Sequence, residues 1–155
     1  MAEHPAGGER VCVVRTGSAN VASVQAALRR LGLEPVLTES ADDVARADRV
    51  VLPGVGSFGA AMRRLESLGL AEPLRARIEA DRPMLCVCLG MQVLFEASAE
   101  SPEARGLGVV SGRAERFREA PGLRVPQMGW NDVAPDAGGT SVPEGVAYLD
   151  RKSVV

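Results

Sequence analysis

The residues with the clearest chemical potential lie in the segment Pro83–Gln92, which reads Pro-Met-Leu-Cys-Val-Cys-Leu-Gly-Met-Gln. The pattern predicts a short buried strand, a sharp turn that carries Cys88, and a helix that begins near Gly90. So tight a turn needs small residues around the nucleophile, and Gly90 meets that need two positions after Cys88. The turn would present the thiol at a helix N-terminus, where the helix dipole and free N–H groups favour a thiolate. Cys88 is therefore the candidate nucleophile.

Two structural interpretations of Cys88 stay open at this point. A buried core cysteine at a strand end fits the spacing as well as a nucleophile does. Cys86 and Cys88 also form half of a possible metal site, but no second cysteine or histidine cluster completes four ligands, so no metal and no other cofactor is predicted. Glycine would fit the turn more easily than Cys86, and Cys12 is interpreted as small core filler. The only histidine is His4, which leaves Cys88 without an imidazole base.

A glycine-rich turn, Pro53–Gly59, follows one predicted strand and precedes a helix. Its glycines permit positive φ angles and let backbone N–H groups approach a substrate, so the turn could supply an oxyanion hole beside the thiol. An ordinary strand-to-helix turn is the plain alternative. Gly54, Gly56 and Gly59 also fit the pattern G-x-G-x-x-G, which makes a dinucleotide-binding domain a further alternative. That match is weak because the turn follows the third predicted strand and lacks the expected acidic residue.

Strands and helices alternate over the first 97 residues, which predicts a parallel sheet with helices on both faces. A β-rich part without helices follows the polar loop 98–105. Because the pattern stops on a strand, we expect an incomplete sheet with an open edge. Strands are predicted at Val11–Val14, Glu34–Thr38, Arg49–Leu52, Met84–Cys88, Val109–Phe117, Leu123–Val133 and Val146–Leu149. Helices are predicted at Val21–Leu31, Asp42–Ala47, Phe58–Leu68, Glu72–Ala80 and Gly90–Ala97.

The bulk composition predicts one soluble globular domain, since 46% of the 155 residues are hydrophobic and 25% are charged. A net charge of -2 gives no electrostatic reason to bind nucleic acid or an anionic membrane. No apolar run approaches the roughly 20 residues that span a bilayer. The polar N-terminus lacks the apolar centre of a signal peptide, so a cytoplasmic protein is predicted.

Four segments are specific in their order and spacing: Leu52–Gly59, Leu85–Glu96, Gly106–Gly108 and Val125–Asn131. Together they resemble the glutamine amidotransferase subunit of imidazole glycerol phosphate synthases, a class I glutamine amidotransferase family of histidine biosynthesis. The resemblance extends from about Val11 to about Tyr148. The Pro-Gln-Met-Gly-Trp-Asn run at 126–131 distinguishes this subunit from other class I amidotransferases.

The resemblance implies a class I amidotransferase α/β fold and a thiol-based glutaminase. Cys88 would attack the carboxamide of glutamine to give a γ-glutamyl thioester and ammonia. The backbone around Val55 and Gly56 would line the oxyanion hole. The expected substrate-binding residues are Gly54, Gln92 and Glu100.

The resemblance also implies a partner, the cyclase subunit, which is a (β/α)₈ barrel that receives the ammonia. Met128, Trp130 and Asn131 would face that subunit. Without the resemblance, Trp130 is simply a large core aromatic. Gln92 and Glu100 are then a solvated helix residue and a plain loop charge.

Relatives of this kind continue past Tyr148 into segments that carry the catalytic histidine and its orienting carboxylate. This chain has the run 149–155 instead, for which a truncation, a frameshift or a cloning artefact is favoured over an evolved variant. We therefore expect a flexible arm over 1–10, one truncated amidotransferase domain over 11–149 and an unrelated tail over 150–155. The chain alone is expected to hydrolyse glutamine negligibly. The alternative is a non-catalytic fragment that only docks to the cyclase.

Overall fold

The computed structural model describes residues 8–17, 20–118, 122, 125, 127–133, 145–151 and 153–154. The chain divides into two compact units, Met1–Ala114 and Glu115–Val155. Most of the predicted arm at 1–10 lies outside the described residues, and the predicted domain bounds remain predictions.

The first unit is built on a parallel sheet whose four strands are ordered β2-β1-β3-β4. Residue types explain the helix starts: Asn20 caps α1 by accepting from the Ser23 N–H, and Ser40 caps α2 by accepting from the Asp43 N–H. The strands are β1 (Arg10–Val14), β2 (Glu34–Thr38), β3 (Val50–Gly54) and β4 (Met84–Cys88). The helices are α1 (Val21–Arg30), α2 (Ala41–Arg46), α3 (Phe58–Ser67), α4 (Ala71–Glu79) and α5 (Leu89–Gln92).

The two faces of the sheet bury separate apolar clusters. Val11, Val13 and Val51 pack with Val24 and Leu28 of α1 on one face. The larger cluster combines the alternate strand positions with α2, α3 and α4. Its members include Val14, Val50, Leu52, Val44, Phe58, Leu65 and Leu74. The predicted α/β class, with a parallel sheet covered on both faces, is confirmed.

A buried arginine ties α4 to the loops beneath the sheet. Arg77 is 1% exposed. Its pKa is lowered mainly by burial and, to a smaller extent, by the positive charge of the nearby Arg82. Its guanidinium replaces amide donors at the C-terminal end of α2, where helix carbonyls lack intrahelical partners. It donates to the carbonyl oxygens of Val44 (3.0 Å), Ala47 (2.6 Å), Asp48 (3.2 Å) and Pro83 (3.0 Å).

The structure corrects two predicted boundaries near the site. The predicted helix Gly90–Ala97 is wrong: α5 ends at Gln92, and Phe95–Ser98 forms strand β5, which pairs in parallel with β6 (Val110–Arg116). β3 continues through Pro53 to Gly54, beyond the predicted end at Leu52. Proline is tolerated there because β1 pairs with β3 only as far as Val51, so Pro53 lies beyond that ladder.

The second unit contains an antiparallel pair, β7 (Gln127–Val133) and β8 (Gly145–Arg151). Within the same unit, β9 (Ser153–Val154) pairs antiparallel with Glu115 and Arg116 at the end of β6. The predicted β-rich C-terminal part is confirmed, although β7 begins four residues later than the predicted strand that started at Leu123. No helix in the described ranges has the length and apolar character to cross a bilayer.

Candidate functional site

Cys88 is the last residue of β4 and the N-cap of α5. Its backbone has φ 56° and ψ -116°, and among the described residues only Asp81 is another non-glycine with positive φ. Such a conformation costs about 1–3 kcal/mol and persists only where surrounding structure imposes it. The Cys88 side chain is exposed, which excludes the alternative of a buried core cysteine.

Helix α5 is too short to supply the dipole that the sequence suggested. It has four residues, Leu89–Gln92, so its aligned peptide dipoles amount to one turn. What the structure provides at the elbow is exposure and a forced backbone. The predicted contribution of the dipole of a helix over Gly90–Ala97 is therefore reduced to that of a single turn.

Glycine is required on both sides of the contact between β3 and α5. A Cβ on Gly90 would lie 1.9 Å from the Leu52 carbonyl oxygen, and a Cβ on Gly54 would lie 2.8 Å from the Gly90 nitrogen. Gly54 is also the register partner of Cys88 in the parallel pair. Backbone contact at these glycines therefore fixes the elbow against the end of β3.

Cys86 fits its position because it points into apolar packing. It pairs in register with Leu52 and packs against the larger core cluster. Burial raises the pKa of the Cys86 thiol to about 11, so it stays protonated at neutral pH. Burial likewise raises the pKa of Cys12. Of the three free thiols, only Cys88 is exposed.

The glycine turn begins at the register partner of the thiol. Gly54 ends β3, Val55 and Gly56 follow it, and both of these are exposed. Gly56 has φ 100°, a backbone conformation that glycine adopts without steric cost. The predicted oxyanion residues Val55 and Gly56 are therefore the two residues that follow Gly54, the register partner of Cys88.

Glu100 and Ser101 hold the far side of that turn. The Phe58 N–H donates to Glu100 Oε2 at 3.2 Å, and the Gly59 N–H donates to Ser101 Oγ at 3.1 Å. These are the first two amides of α3, which have no intrahelical acceptor. The helix's own N-cap, Ser57, makes no side-chain cap hydrogen bond. Glu100 is thus more than the plain loop charge that its sequence context alone would suggest.

The remaining predicted residues fall in two places. Gln92 lies on α5 and is 7% exposed, so the alternative of a solvated helix residue is wrong. Met128, Trp130 and Asn131 lie along β7 of the second unit, where their register partners are Asp150, Tyr148 and Ala147.

Sequence analysis missed Ser101 entirely. Its hydrogen-bond partner is 42 residues away, and the local sequence of a polar loop carries no signal of that pairing. The only available hint was the absence of an acidic residue in the first turn of α3, which leaves its amides to an acceptor from elsewhere.

Other candidate sites in the described ranges are weaker. A cavity of about 270 Å³ is lined by residues that include Arg10, Cys12 and Asp43. It lies at the N-terminal end of β1, whereas Cys88 is at the C-terminal end of β4 in the same parallel sheet. No group of three or more His, Cys, Asp or Glu side chains in the described part of the chain is arranged to hold a metal ion.

Comparison with known proteins gives a consistent family. The sequence model described as glutamine amidotransferase class-I matches residues 13–140. A crystal structure of a glutamine amidotransferase matches 93% of this chain and 72% of its own chain with a TM-score of 0.71, at 22% identity, which supports the fold.

Curated relatives are more similar in sequence. Imidazole glycerol phosphate synthase subunit HisH is 43% identical over 123 residues in Microcystis aeruginosa and 46% identical over 143 residues in Xylella fastidiosa. These matches cover 79% and 90% of this chain, and 58% and 70% of the two relatives. Imidazole glycerol phosphate synthase hisHF, chloroplastic, of Arabidopsis thaliana is 45% identical over 121 residues, which are 78% of this chain and 20% of that protein. The chain thus spans little more than half the length of the Microcystis relative.

Proposed function

The chain belongs to the glutamine amidotransferase class-I family, and from this membership we propose that it is the glutaminase subunit of an imidazole glycerol phosphate synthase. Support comes from the HisH relatives, which are 43% and 46% identical to it. The structural observation that carries the chemistry is an exposed thiol on a positive-φ turn, in register with the glycine that begins the Val55–Gly56 turn. Family membership also replaces the dinucleotide-binding alternative for that turn.

In the proposed reaction, Cys88 Sγ bonds to the carboxamide carbon of glutamine. The backbone N–H groups around Val55 and Gly56 stabilise the oxyanion, which is usually the largest catalytic term in acyl transfer. The C–N bond then breaks, ammonia leaves with an added proton, and a γ-glutamyl thioester remains. Water hydrolyses the thioester to glutamate and restores the thiol.

Glutamine itself is proposed to be held by Gly54, Gln92 and Glu100. The Glu100 carboxylate is suited to the substrate's α-ammonium group because a charge-assisted hydrogen bond of this kind is strong and directional. Gln92, which is buried beside the elbow on α5, offers both a donor and an acceptor to the other polar ends of the substrate.

The proposed partner is the cyclase subunit, a (β/α)₈ barrel that receives the ammonia. Support comes from the Arabidopsis relative, imidazole glycerol phosphate synthase hisHF, a longer protein of which the match covers 20%. We propose that Met128, Trp130 and Asn131 of β7 face that partner. A cytoplasmic location is proposed as well, in keeping with three cysteines that are all free thiols.

We further propose that the 155-residue chain turns over glutamine very slowly without help. Release of ammonia needs a proton donor, and the sequence contains one histidine, His4. General acid–base catalysis contributes about 10²–10⁴-fold, and that factor is what the chain would lack.

The experiment is active-site labelling with the diazoketone analogue of glutamine, 6-diazo-5-oxo-L-norleucine, followed by peptide mass spectrometry. We expect one adduct at Cys88 that glutamine competes away, and no adduct in Cys88→Ala. Cys86→Ala is the matched control, and Cys88 should label normally in it because the partly buried Cys86 thiol takes no part in the reaction. Labelling that glutamine does not reduce, or that occurs equally at Cys86, would refute the proposed function. Glutamate release measured with and without the cyclase then separates a slow enzyme from a docking fragment.

A further inference from the structure

We propose that Ser101 is a positioning residue for the oxyanion-hole turn, acting together with Glu100 as a cap on α3 supplied from a distant part of the chain. The inference rests on the proposed function, because it assigns a role in the chemistry of that same site. It adds a residue that the family resemblance did not mark.

The first step is the hydrogen bonding at the start of α3. A helix begins with amides that lack intrahelical acceptors, and the N-cap side chain normally satisfies one of them. Here Ser57 occupies the N-cap with extended backbone angles, φ -93° and ψ 145°, and its side chain caps nothing. Ser101 Oγ and Glu100 Oε2 accept from Gly59 and Phe58 instead.

The second step is the rigidity of the cap. Ser101 is 6% exposed, and its own N–H donates to the carbonyl oxygen of Ser98. Ser98 is 4% exposed, and its hydroxyl accepts from the Glu100 N–H at 3.2 Å. The capping pair is therefore held by the end of β5, so it can restrain α3 and does not merely follow it.

The third step links the cap to the chemistry. Only Val55, Gly56 and Ser57 separate the capped amides from Gly54, the register partner of Cys88. The turn is thus fixed at both ends, by the sheet at Gly54 and by the cap at Phe58 and Gly59. Losing the Ser101 hydroxyl frees the second end, and the amides around Gly56 would lose the alignment that oxyanion stabilisation requires.

Fit at Gly59 gives an independent way to disturb the same contact. A Cβ on Gly59 would lie 3.1 Å from Ser101 Oγ and 3.3 Å from Arg63 and Glu103 side-chain atoms, so the neighbouring side chains must shift by a few tenths of an ångström. Alanine is also a better helix former than glycine. Gly59→Ala is therefore expected to weaken the cap without weakening the helix.

The test compares two reagents on the full 155-residue chain. The diazoketone analogue of glutamine places its ketone where the carboxamide carbonyl would sit, whereas iodoacetamide alkylates a thiol by direct displacement. The measured quantity is the rate constant for alkylation of Cys88 by the diazoketone divided by the rate constant for its alkylation by iodoacetamide. We expect the ratio to fall about tenfold in Ser101→Ala, below the ~10²–10³ that follows complete loss of an oxyanion donor.

The matched control is Ser67→Ala at the other end of α3, where an exposed hydroxyl donates to the Arg64 carbonyl oxygen. It should leave the ratio within about twofold. Ser101→Thr, which keeps the hydroxyl, should restore most of the ratio, and Gly59→Ala should lower it without lowering the melting temperature. If Ser101 had only a structural role, both rate constants would change together, and the ratio would stay at the wild-type value in Ser101→Ala and Gly59→Ala. That result would overturn this inference but not the proposed function. A wild-type chain that reacts with iodoacetamide but not with the diazoketone would overturn the proposed function and this inference together.

Discussion

Replacing Gly90 by alanine tests how closely α5 is seated on β3. The new Cβ would lie 1.9 Å from the Leu52 carbonyl oxygen and 2.9 Å from its carbonyl carbon, both of which belong to a buried strand. A normal contact is about 3.5 Å, so the two backbones must separate by roughly 1.5 Å. Overpacking of this kind costs about 1–3 kcal/mol and occasionally more, and we expect about 3 kcal/mol because no flexible side-chain end can yield.

Thermal unfolding followed by circular dichroism measures the loss. A domain of this size loses about 2–4 °C of melting temperature per kcal/mol, so Gly90→Ala should melt roughly 6–12 °C lower than wild type. Gly69→Ala is the control, since Gly69 has φ 66° but nothing within 4 Å of an added Cβ. Gly69→Ala carries only the cost of positive φ, about 1–2 kcal/mol, which Gly90→Ala does not carry because Gly90 is not among the positive-φ glycines. A Gly90→Ala variant that melts at the wild-type temperature would show that α5 does not contact β3 as described.

Three further predictions concern buried or strained groups. Arg77→Met should cost about 3 kcal/mol in urea unfolding because several carbonyls lose their donor, whereas Arg46→Met at an exposed site should change stability by less than about 0.5 kcal/mol. Burial raises the pKa of Cys86 from 9.0 to about 11, so its contribution to stability is complete below pH 9 and is lost as the pH rises toward 11. Cys86→Ala should therefore flatten that part of a stability–pH curve. Cys88→Gly should be about 1–2 kcal/mol more stable than Cys88→Ala, since only glycine adopts φ 56° without strain; equal stabilities would argue against a strained elbow.

Local patterns were sufficient for most of the parallel sheet. Glu34–Thr38 and Met84–Cys88 were predicted with the bounds that β2 and β4 have, because each is a short apolar run closed by turn residues. The Asn20 cap of α1 is equally local, since its acceptor and donor are three residues apart. Signals of this kind survive folding because the partners are close in sequence.

The wrong and missed predictions have the opposite cause, because the interacting residues are far apart in sequence. Residues after Gly90 have helical character, but Phe95–Ser98 pairs with a strand that begins at Val110, and a Cβ on Gly106 would lie 1.8 Å from the Phe95 carbonyl oxygen. Only a glycine there permits the loop to return so closely. Arg77 and Ser101 were missed in the same way, because the Ala47 carbonyl that Arg77 binds is 30 residues away and the Gly59 amide that Ser101 binds is 42 residues away.

The site combines one unfavourable feature with several contacts that hold it in place. Cys88 keeps a backbone conformation that costs about 1–3 kcal/mol, so its neighbours must exclude the relaxed alternatives. Gly54 and Gly90 do this from the strand side through backbone contact, and the Glu100–Ser101 cap fixes the next turn. Because all these contacts lie within the first unit, the alignment of the Cys88 thiol with the Val55–Gly56 turn should not depend on residues after Ala114. If the proposed function holds, the glutamine-protected labelling of Cys88 should persist even where turnover is slow, since the thiol itself can supply the one proton that the diazoketone carbon takes up as N₂ leaves.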